Sequence, residues 1–411
     1  MQTSSNIEAD SLDNEQKPLT GQDIINILSL TIKEDEDNKL ATFLCYLTAY
    51  TEKAQFNISF NAPSSTGKSY IPMEVAKLFP ADDVLEIGYC SPTAFFHDRA
   101  TEYRKDTNEL VVDLSHKIII FLDQPHTQLL ERMRPVLSHD KKEIKVKITD
   151  KNQKYGTKTK NVLLRGYPSV VFCTAGLNID EQEASRFLLL SPEMNQKKIK
   201  QAIQQTIKKE TNSDLYKKEL ESNVARNLLK KRLSAIKEKK IADVKIGNQQ
   251  LIEKQFLASN KQLKPRHQRD VKRLVSLIKA FALLNYQWRE KEGNKIIATQ
   301  DDIDEALKLW NELYISQEFN IPPYLYNFYY EIILPAWHDK QKIAGQSTIP
   351  VKIIGLTRKE VLKKHYEIYK RILDTNQLRK QILPMLESTG LIMQEYNPDN
   401  KRETLVVPMW R

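Results

Sequence analysis

Between residues 55 and 194, short apolar stretches alternate with stretches of helical pattern, and this alternation restricts the fold more than any other feature. Each apolar stretch is too short for a buried helix but suits a strand. The strand candidates are FNISF, VLEIGY, KIIIFLD, PSVVFCTAG and RFLLLSP. Their alternation with helices predicts an α/β fold in which a mostly parallel sheet is covered by helices.

The rest of the chain divides into segments of different composition and pattern. Residues 1–20 are polar and acidic without periodicity, which predicts disorder. Residues 21–54 carry two helical patterns that lead into the α/β core, residues 55–194. Residues 195–318 are almost wholly helical in pattern, and residues 320–411 have an order of elements of their own.

The last segment contains two helices and a pair of strands. Thr357 and Glu360 frame the first helix, a second helix ends at Gly390, and two strands around the turn NPDN read as a β-hairpin. This is the order of a winged-helix domain, which we expect here. In such a domain the second helix and the hairpin turn face DNA. The candidate DNA-binding residues are therefore Arg379, Lys380, Lys401 and Arg402. Because some winged helices bind only protein, that alternative stays open.

The formal net charge of the chain is +10, and its distribution is uneven. Residues 1–40 hold nine acidic residues against three basic ones, whereas residues 141–165 hold nine basic against two acidic. An acidic beginning followed by basic zones is typical of a protein that binds a polyanion. No stretch approaches the roughly 18 to 20 apolar residues of a membrane helix, and the first residues lack the pattern of a secretory signal. We expect a cytoplasmic protein without a membrane partner.

The stretch NAPSSTGKSY, residues 61–70, lies between a predicted strand and a predicted helix. Gly67, Lys68 and Ser69 match the last three positions of the phosphate-loop pattern G-x-x-x-x-G-K-[ST]. In such a loop backbone N–H groups and the lysine bind phosphates, and the hydroxyl binds Mg²⁺. Ala62 replaces the first glycine, which is acceptable if its φ stays negative. The alternative is a serine-rich turn that matches the pattern by chance.

The helix after this loop contains Pro72, which removes a helical hydrogen bond, so we expect an irregular first turn. The ligands predicted for the loop are ATP and Mg²⁺. The nucleotide-binding residues are Ala62, Pro63, Ser64, Ser65, Thr66, Gly67, Lys68 and Ser69.

Three polar side chains follow the loop at or near the ends of apolar stretches. Asp123 ends KIIIFLD, where a phosphate-loop sheet presents the aspartate that holds Mg²⁺. The predicted Mg²⁺ ligands are therefore Ser69 and Asp123. Thr174 ends VVFCT, and Arg186 stands in EASRFLLLSP.

Four matches in order, APSSTGKS, IIIFLDQ, VVFCTA and ASRF, resemble the AAA+ ATPases, and specifically the helicase-like group related to the minichromosome maintenance proteins. The resemblance covers about residues 55–315. It implies a ring, expected to be a hexamer, in which the Thr174 strand lies between the other two. Thr174 would then touch the γ-phosphate or the attacking water, and Arg186 would reach the nucleotide of a neighbouring subunit.

The same resemblance implies a helical lid in residues 195–318, with Arg269 as the arginine that contacts the γ-phosphate of its own subunit. Arg266 and Arg273 compete for this assignment.

The basic segment 141–165 predicts a β-hairpin, because IKVKI alternates and Gly156 offers a turn before NVLL. In the helicase relatives an insertion at this place points into the ring pore and grips DNA. The candidate DNA contacts of the hairpin are Lys151, Lys154, Tyr155, Lys158 and Lys160. The alternative is an exposed hairpin whose lysines discourage edge pairing.

Gln124 stands where the usual partner of the strand-end aspartate is a glutamate that deprotonates water. Glutamine cannot take a proton at neutral pH, although it can orient water. Two main functions therefore stay open: an ATP-driven DNA helicase or translocase in the replication of a mobile element, or an ATP-gated loader or clamp on DNA with little hydrolysis. A nucleotide-binding DNA regulator is a third, weaker hypothesis. For the enzyme, the catalytic residues are Lys68, Asp123, Gln124, Thr174 and Arg186.

Overall fold

The computed structural model describes residues 17–91, 102–104, 109–139, 141–150, 158–175, 186–260, 262–345, 355–398 and 400–409. Within them the chain begins as an ordered segment: Leu19 is buried, and its N–H and C=O are both bonded to the Asn285 side chain at 2.7 and 2.9 Å. Thr20 then caps the first helix. The disorder expected for residues 1–20 is therefore wrong for Leu19 and Thr20, because Asn285 and the capping box provide hydrogen-bond partners for their backbone groups.

Two helices precede the central sheet, α1 (Gly21–Leu28) and α2 (Glu36–Thr48). The strands up to residue 190 are β1 (Asn57–Asn61), β2 (Val84–Ile87), β3 (Glu102–Arg104), β4 (Glu109–Asp113), β5 (Ile118–Phe121), β6 (Glu143–Asp150), β7 (Lys158–Arg165), β8 (Ser169–Thr174) and β9 (Phe187–Leu190). The helices among them are α3 (Tyr70–Ala76) and α4 (Thr127–Leu137), with a 3₁₀ turn at Ala81–Asp83.

The central sheet is parallel and has the strand order β2-β5-β8-β1-β9. All five predicted strands are present, and β8 lies between β1 and β5 as the resemblance implies. The apolar stretches are almost continuous because both faces of the sheet are buried. Ile118 and Ile120 pack on the side of α2, whereas Ile119 and Phe121 pack on the side of α4.

The predicted hairpin is present, since β6 pairs antiparallel with β7 from Glu143 opposite Arg165 to Asp150 opposite Lys158. It is not an isolated hairpin. β7 also pairs with β4 in parallel, which makes a second sheet of order β3-β4-β7-β6. Val162 and Leu164 of this sheet share the apolar cluster of α4, so the root of the hairpin is fixed to the core.

The segment predicted as almost wholly helical contains six helices and a small sheet. The helices are α5 (Gln196–Thr211), α6 (Ser213–Ser222), α7 (Val224–Lys239), α8 (Gln249–Ser259), α9 (His267–Leu284) and α10 (Gln300–Phe319). The sheet, β10 (Asp243–Ile246), β11 (Lys291–Glu292) and β12 (Lys295–Ala298), corrects the prediction. A 3₁₀ turn at Tyr286–Trp288 follows α9. Because α9 is buried in the same apolar cluster as α2 and β1, this segment shares the core of the central sheet.

The C-terminal unit, residues 320–411 as far as they are described, has an apolar core of its own. Its elements are α11 (Pro323–Phe328), α12 (Leu334–Gly345), β13 (Leu356–Thr357), α13 (Arg358–Tyr369), α14 (Thr375–Gln377), α15 (Leu383–Ser388), β14 (Ile392–Asn397) and β15 (Asn400–Pro408). The predicted helices, the capping box at Thr357 and the hairpin are confirmed. Winged-helix membership stays a prediction.

Two helices of this unit widen into π turns, at Tyr329–Ile333 and Leu378–Ile382. Each π turn ends two residues before a proline, Pro335 or Pro384. A proline within a helix lacks the N–H donor and its ring collides with the carbonyl four residues earlier, so a wider turn relieves the contact. In the described part of the chain, no helix is both long and apolar enough to cross a membrane.

Candidate functional site

The loop between β1 and α3 has the backbone that a phosphate cradle needs. Ser65 and Gly67 adopt left-handed conformations, with φ of +65° and +92°. When successive residues alternate between right-handed and left-handed backbone conformations, their N–H groups point to the same side and form a concave anion site. A Cβ on Gly67 would meet nothing within 4 Å, so its backbone conformation, not lack of space, requires glycine. Ala62 is buried with a negative φ, which satisfies the condition set for its replacement of glycine.

Pro72 lies in the first turn of the helix that follows the loop and removes one hydrogen bond there, as expected. Helix α3 begins at Tyr70, with hydrogen bonds from Ile71 N to Gly67 O at 3.2 Å and from Met73 N to Ser69 O at 3.3 Å. These two bonds flank Pro72, which has no N–H to donate to the Lys68 carbonyl between them. The proline therefore interrupts the helical hydrogen bonds of the first turn by one bond.

The carboxyl ends of β1, β5 and β8 bring the predicted residues together. Asn61 lies opposite Thr174, and the Ala62 N–H donates to the Thr174 carbonyl at 3.3 Å. The Thr174 hydroxyl donates to Gln124 Oε1 at 3.1 Å. Asp123 and Gln124 are exposed at this edge, and Asp123 Oδ1 accepts the Gln124 N–H at 2.8 Å. We call this set, with the loop, the carboxyl-edge site.

Cys173 links the loop to the middle strand beneath this site. Its thiol donates to the Lys68 carbonyl at 3.4 Å. Burial raises the pKa of the Cys173 thiol to about 12, while the charge of Lys68 lowers it and the charge of Asp123 raises it. Lys68 follows β1 and Asp123 follows β5, and these two strands flank β8, which contains Cys173.

Arg186 lies at the other edge of the sheet. It precedes Phe187, which pairs with Asn57 at the amino end of β1. Its Nε donates to Ser138 Oγ at 3.0 Å, just after α4, and its side chain is half-buried. The length of β1 therefore separates Arg186 from the loop of its own chain.

The three arginines that compete for the predicted lid contact lie in or just before the first turns of α9. Arg266 and Arg273 both bind Asp270, at 2.9 and 2.6 Å. Burial lowers the pKa of Arg273 to about 10 although Asp270 acts to raise it, so this arginine belongs to an internal ion pair. Arg269 is exposed. Its contact with a phosphate stays a prediction.

The predicted DNA contacts divide between the hairpin and the C-terminal unit. Lys151, Lys154 and Tyr155 lie outside the described residues. Lys158 and Lys160 lie in the first half of strand β7. Ion pairs hold the hairpin near its root, Lys145 to Glu109 at 2.7 Å and Arg165 to Asp113 at 2.6 Å.

In the C-terminal unit the four predicted DNA contacts are all exposed. They are Arg379, Lys380, Lys401 and Arg402.

A cavity of about 630 Å³ opens beside the phosphate loop, and the sequence analysis missed it. Its walls are the loop at Ser65–Gly67, the connection between α1 and α2, and one face of α5. That face presents Ile199, Ile203 and Ile207, which are 43%, 55% and 57% exposed. Their spacing of four residues puts them on one stripe, and this spacing was a signal that could have been read from the sequence.

Lys198 holds the walls of this cavity to the loop. It forms an ion pair with buried Asp35 and donates to the carbonyls of Glu193 at 3.0 Å and Thr66 at 3.4 Å. Asp35 itself has a left-handed φ of 56° and accepts the Glu193 N–H at 2.8 Å. A positive charge thus lies against the backbone of the phosphate loop, and nothing in the loop pattern signals it.

The oxygen groups at the carboxyl edge suit a magnesium ion that is bound together with phosphates. Ser69 offers a hydroxyl and Asp123 a carboxylate, and Mg²⁺ usually takes one or two carboxylates plus phosphate oxygens and water. Among the described residues, no group of three or more His, Cys, Asp or Glu is placed to hold a metal by itself.

A scan against models of protein families gives no match to this chain, and a search of curated proteins finds no significantly similar sequence.

Proposed function

We propose that this protein is an ATPase of the AAA+ class that acts on DNA as a helicase or translocase in a ring, expected to be a hexamer. The observation that carries the proposal is the carboxyl-edge site. Thr174 ends β8, whereas Lys68 follows β1 and the pair Asp123 and Gln124 follows β5. All four therefore lie at the carboxyl edge of a sheet of order β2-β5-β8-β1-β9. A serine-rich turn that matched the loop pattern by chance would not require an acid and a polar pair at the same edge.

Each residue of this site has a role that its position supports. The inward N–H groups of the loop and the Lys68 ammonium would hold the β- and γ-phosphates, and Ser69 with Asp123 would hold Mg²⁺. When bound, Mg²⁺ neutralises charge on the transferred phosphoryl group. The isoleucine stripe of α5 would cover the nucleoside, since a cavity of this size and character suits a small organic ligand.

The position of Arg186 supports action on a neighbouring subunit. It lies at the amino edge of the sheet, so it cannot reach its own loop without a large rearrangement. In a head-to-tail ring the amino edge of one subunit could face the carboxyl edge of the next. This is why we propose an oligomer in which Arg186 completes the site in trans. DNA as a partner rests on the basic hairpin and on the exposed basic residues of the C-terminal unit.

The second function, an ATP-gated loader or clamp, is favoured by one contact. Gln124 Oε1, the atom that could accept a hydrogen bond from an attacking water, already accepts the Thr174 hydroxyl at 3.1 Å. An amide oxygen has two lone pairs, so an attacking water would have to share Oε1 with Thr174, and Gln124 cannot take the proton of that water. Slow hydrolysis would therefore follow from this pair, whereas nucleotide binding would not suffer.

The test is ATP binding and hydrolysis, with and without single-stranded DNA. We expect Lys68→Ala to weaken ATP binding by about a hundredfold, since it removes a charge-assisted contact to phosphate. Lys53→Ala is the matched control, because Lys53 is an exposed lysine before the amino end of β1. Equal ATP affinity in Lys68→Ala and the wild type would refute the nucleotide site.

Gln124→Glu separates the two functions. Strong DNA-stimulated turnover by the wild type supports the motor. Tight binding with almost no turnover, increased by Gln124→Glu, supports the loader.

A further inference from the structure

The cavity beside the phosphate loop has a wall that comes from the C-terminal unit. Tyr369 and Arg371 line it together with the loop residues Ser65, Thr66 and Gly67. Tyr369 is the last residue of α13 and is half-buried, whereas Arg371 is exposed. Two residues that are about 300 positions away from the loop in sequence therefore border the same space.

The backbone at Arg371 is held in place. Lys370 ends α13 with a left-handed φ of 53°, and its N–H donates to the Tyr366 carbonyl at 2.9 Å. The buried His365 bonds through Nδ1–H to the Arg371 carbonyl at 3.0 Å. The Tyr369 hydroxyl donates to Glu331 Oε2 at 2.6 Å. These bonds fix the backbone from which the Arg371 side chain extends and the position of the Tyr369 ring. Both residues are therefore held at the cavity by hydrogen bonds.

The same part of the chain connects the C-terminal unit to the other cavity wall. Between β9 and α5, the Ser191 hydroxyl accepts the Tyr324 N–H at 3.0 Å and donates to the Asn61 carbonyl, next to the loop, at 2.7 Å. Met194 packs against the apolar core of the C-terminal unit and also lines the cavity. The C-terminal unit is thus joined to the loop and to α5 at the point where the cavity opens.

We propose that Tyr369 and Arg371 contact the nucleoside end of a nucleotide bound at the phosphate loop, so that nucleotide binding and docking of the C-terminal unit stabilise each other. This inference rests on the proposed nucleotide site. The loop and Lys68 serve the phosphates, whereas the aromatic ring and the guanidinium suit the face of a purine base, against which both groups stack well. Because coupling between two binding events is reciprocal, a docked unit raises nucleotide affinity by the same factor by which nucleotide favours docking.

The experiment compares two ligands that differ only in the nucleoside, ATP and inorganic tripolyphosphate, bound to the full chain at equilibrium. Arg371→Ala should weaken ATP binding by about tenfold and leave tripolyphosphate binding unchanged. Lys359→Ala is the matched control, because Lys359 is an exposed basic residue of the same unit that does not line the cavity. It should change neither affinity.

A second measurement follows docking directly by amide hydrogen exchange. ATP should slow exchange at Lys370 and its neighbours in the wild type, and tripolyphosphate should not. The effect of ATP should disappear in Arg371→Ala. Unchanged ATP affinity and protection in this variant would overturn the inference, and so would an equal loss of affinity for both ligands. A different result would show that the proposed nucleotide site itself is wrong: the wild type would bind neither ATP nor tripolyphosphate. That result would refute both proposals.

Discussion

The two edges of the central sheet carry different parts of the proposed machinery. At the carboxyl edge, Lys68, Asp123 and the Gln124–Thr174 pair lie together around a loop of alternating hand. At the amino edge, Arg186 is tied to Ser138. Parallel strands place all their carboxyl ends at one edge, so one chain can assemble the first set but cannot bring Arg186 to it. If the proposed function holds, a single chain can bind nucleotide at the carboxyl edge, and full catalysis requires Arg186 of a second subunit.

The largest effect should come from replacing Arg186 at the amino edge. Arg186→Ala should leave ATP affinity unchanged and lower the hydrolysis rate by about a thousandfold, because arginines supplied in trans stabilise transition-state charge by this order. Steady-state hydrolysis and equilibrium binding measure the two quantities separately.

Mixing Arg186→Ala subunits with Lys68→Ala subunits provides the control for action in trans. Mixed rings contain some intact interfaces, so part of the activity should return. An absence of recovery at every mixing ratio would assign Arg186 to a structural role.

A smaller effect should come from the carboxyl edge alone. Gly67→Ala should weaken ATP binding by about tenfold, because a side chain at a left-handed φ costs roughly 1–2 kcal/mol. Gly88→Ala is the matched control, since Gly88 has no left-handed φ and its new Cβ would meet nothing within 4 Å. Titration with a fluorescent ATP analogue measures both. Equal affinities for the two variants would mean that the loop backbone does not shape the site.

The smallest effect concerns the basic hairpin, whose root lies near the amino edge. Replacing Lys154 and Lys158 by alanine should lower DNA affinity and reduce the slope of log affinity against log salt by about 0.7 for each phosphate of a single strand that the variant no longer neutralises. ATP affinity should not change. DNA binding measured across a salt series provides the slope, and an unaltered slope would remove the hairpin from the DNA path.

The local features of the fold were predictable from the residues. The five strands of the central sheet, the capping box at Thr357 and the hairpin of β6 and β7 all lie where their patterns predict. Each depends on a few neighbouring residues, such as a hydroxyl with an acid three positions later. The error in residues 195–318 has a different origin: the short strand β10 pairs in parallel with the distant strand β12, which no local pattern shows.

By itself, the sequence determined the phosphate-loop pattern, the α/β class and the order of the polar side chains along the chain, because these are properties of local pattern and spacing. Only the tertiary structure decided that Thr174 bonds Gln124, that Arg186 lies at the opposite edge from the loop, and that Arg371 borders the cavity. These relations join residues that are far apart in the chain. They depend on how strands are ordered in the sheet and how units pack, which the burial of shared apolar surface selects and no short stretch of sequence encodes.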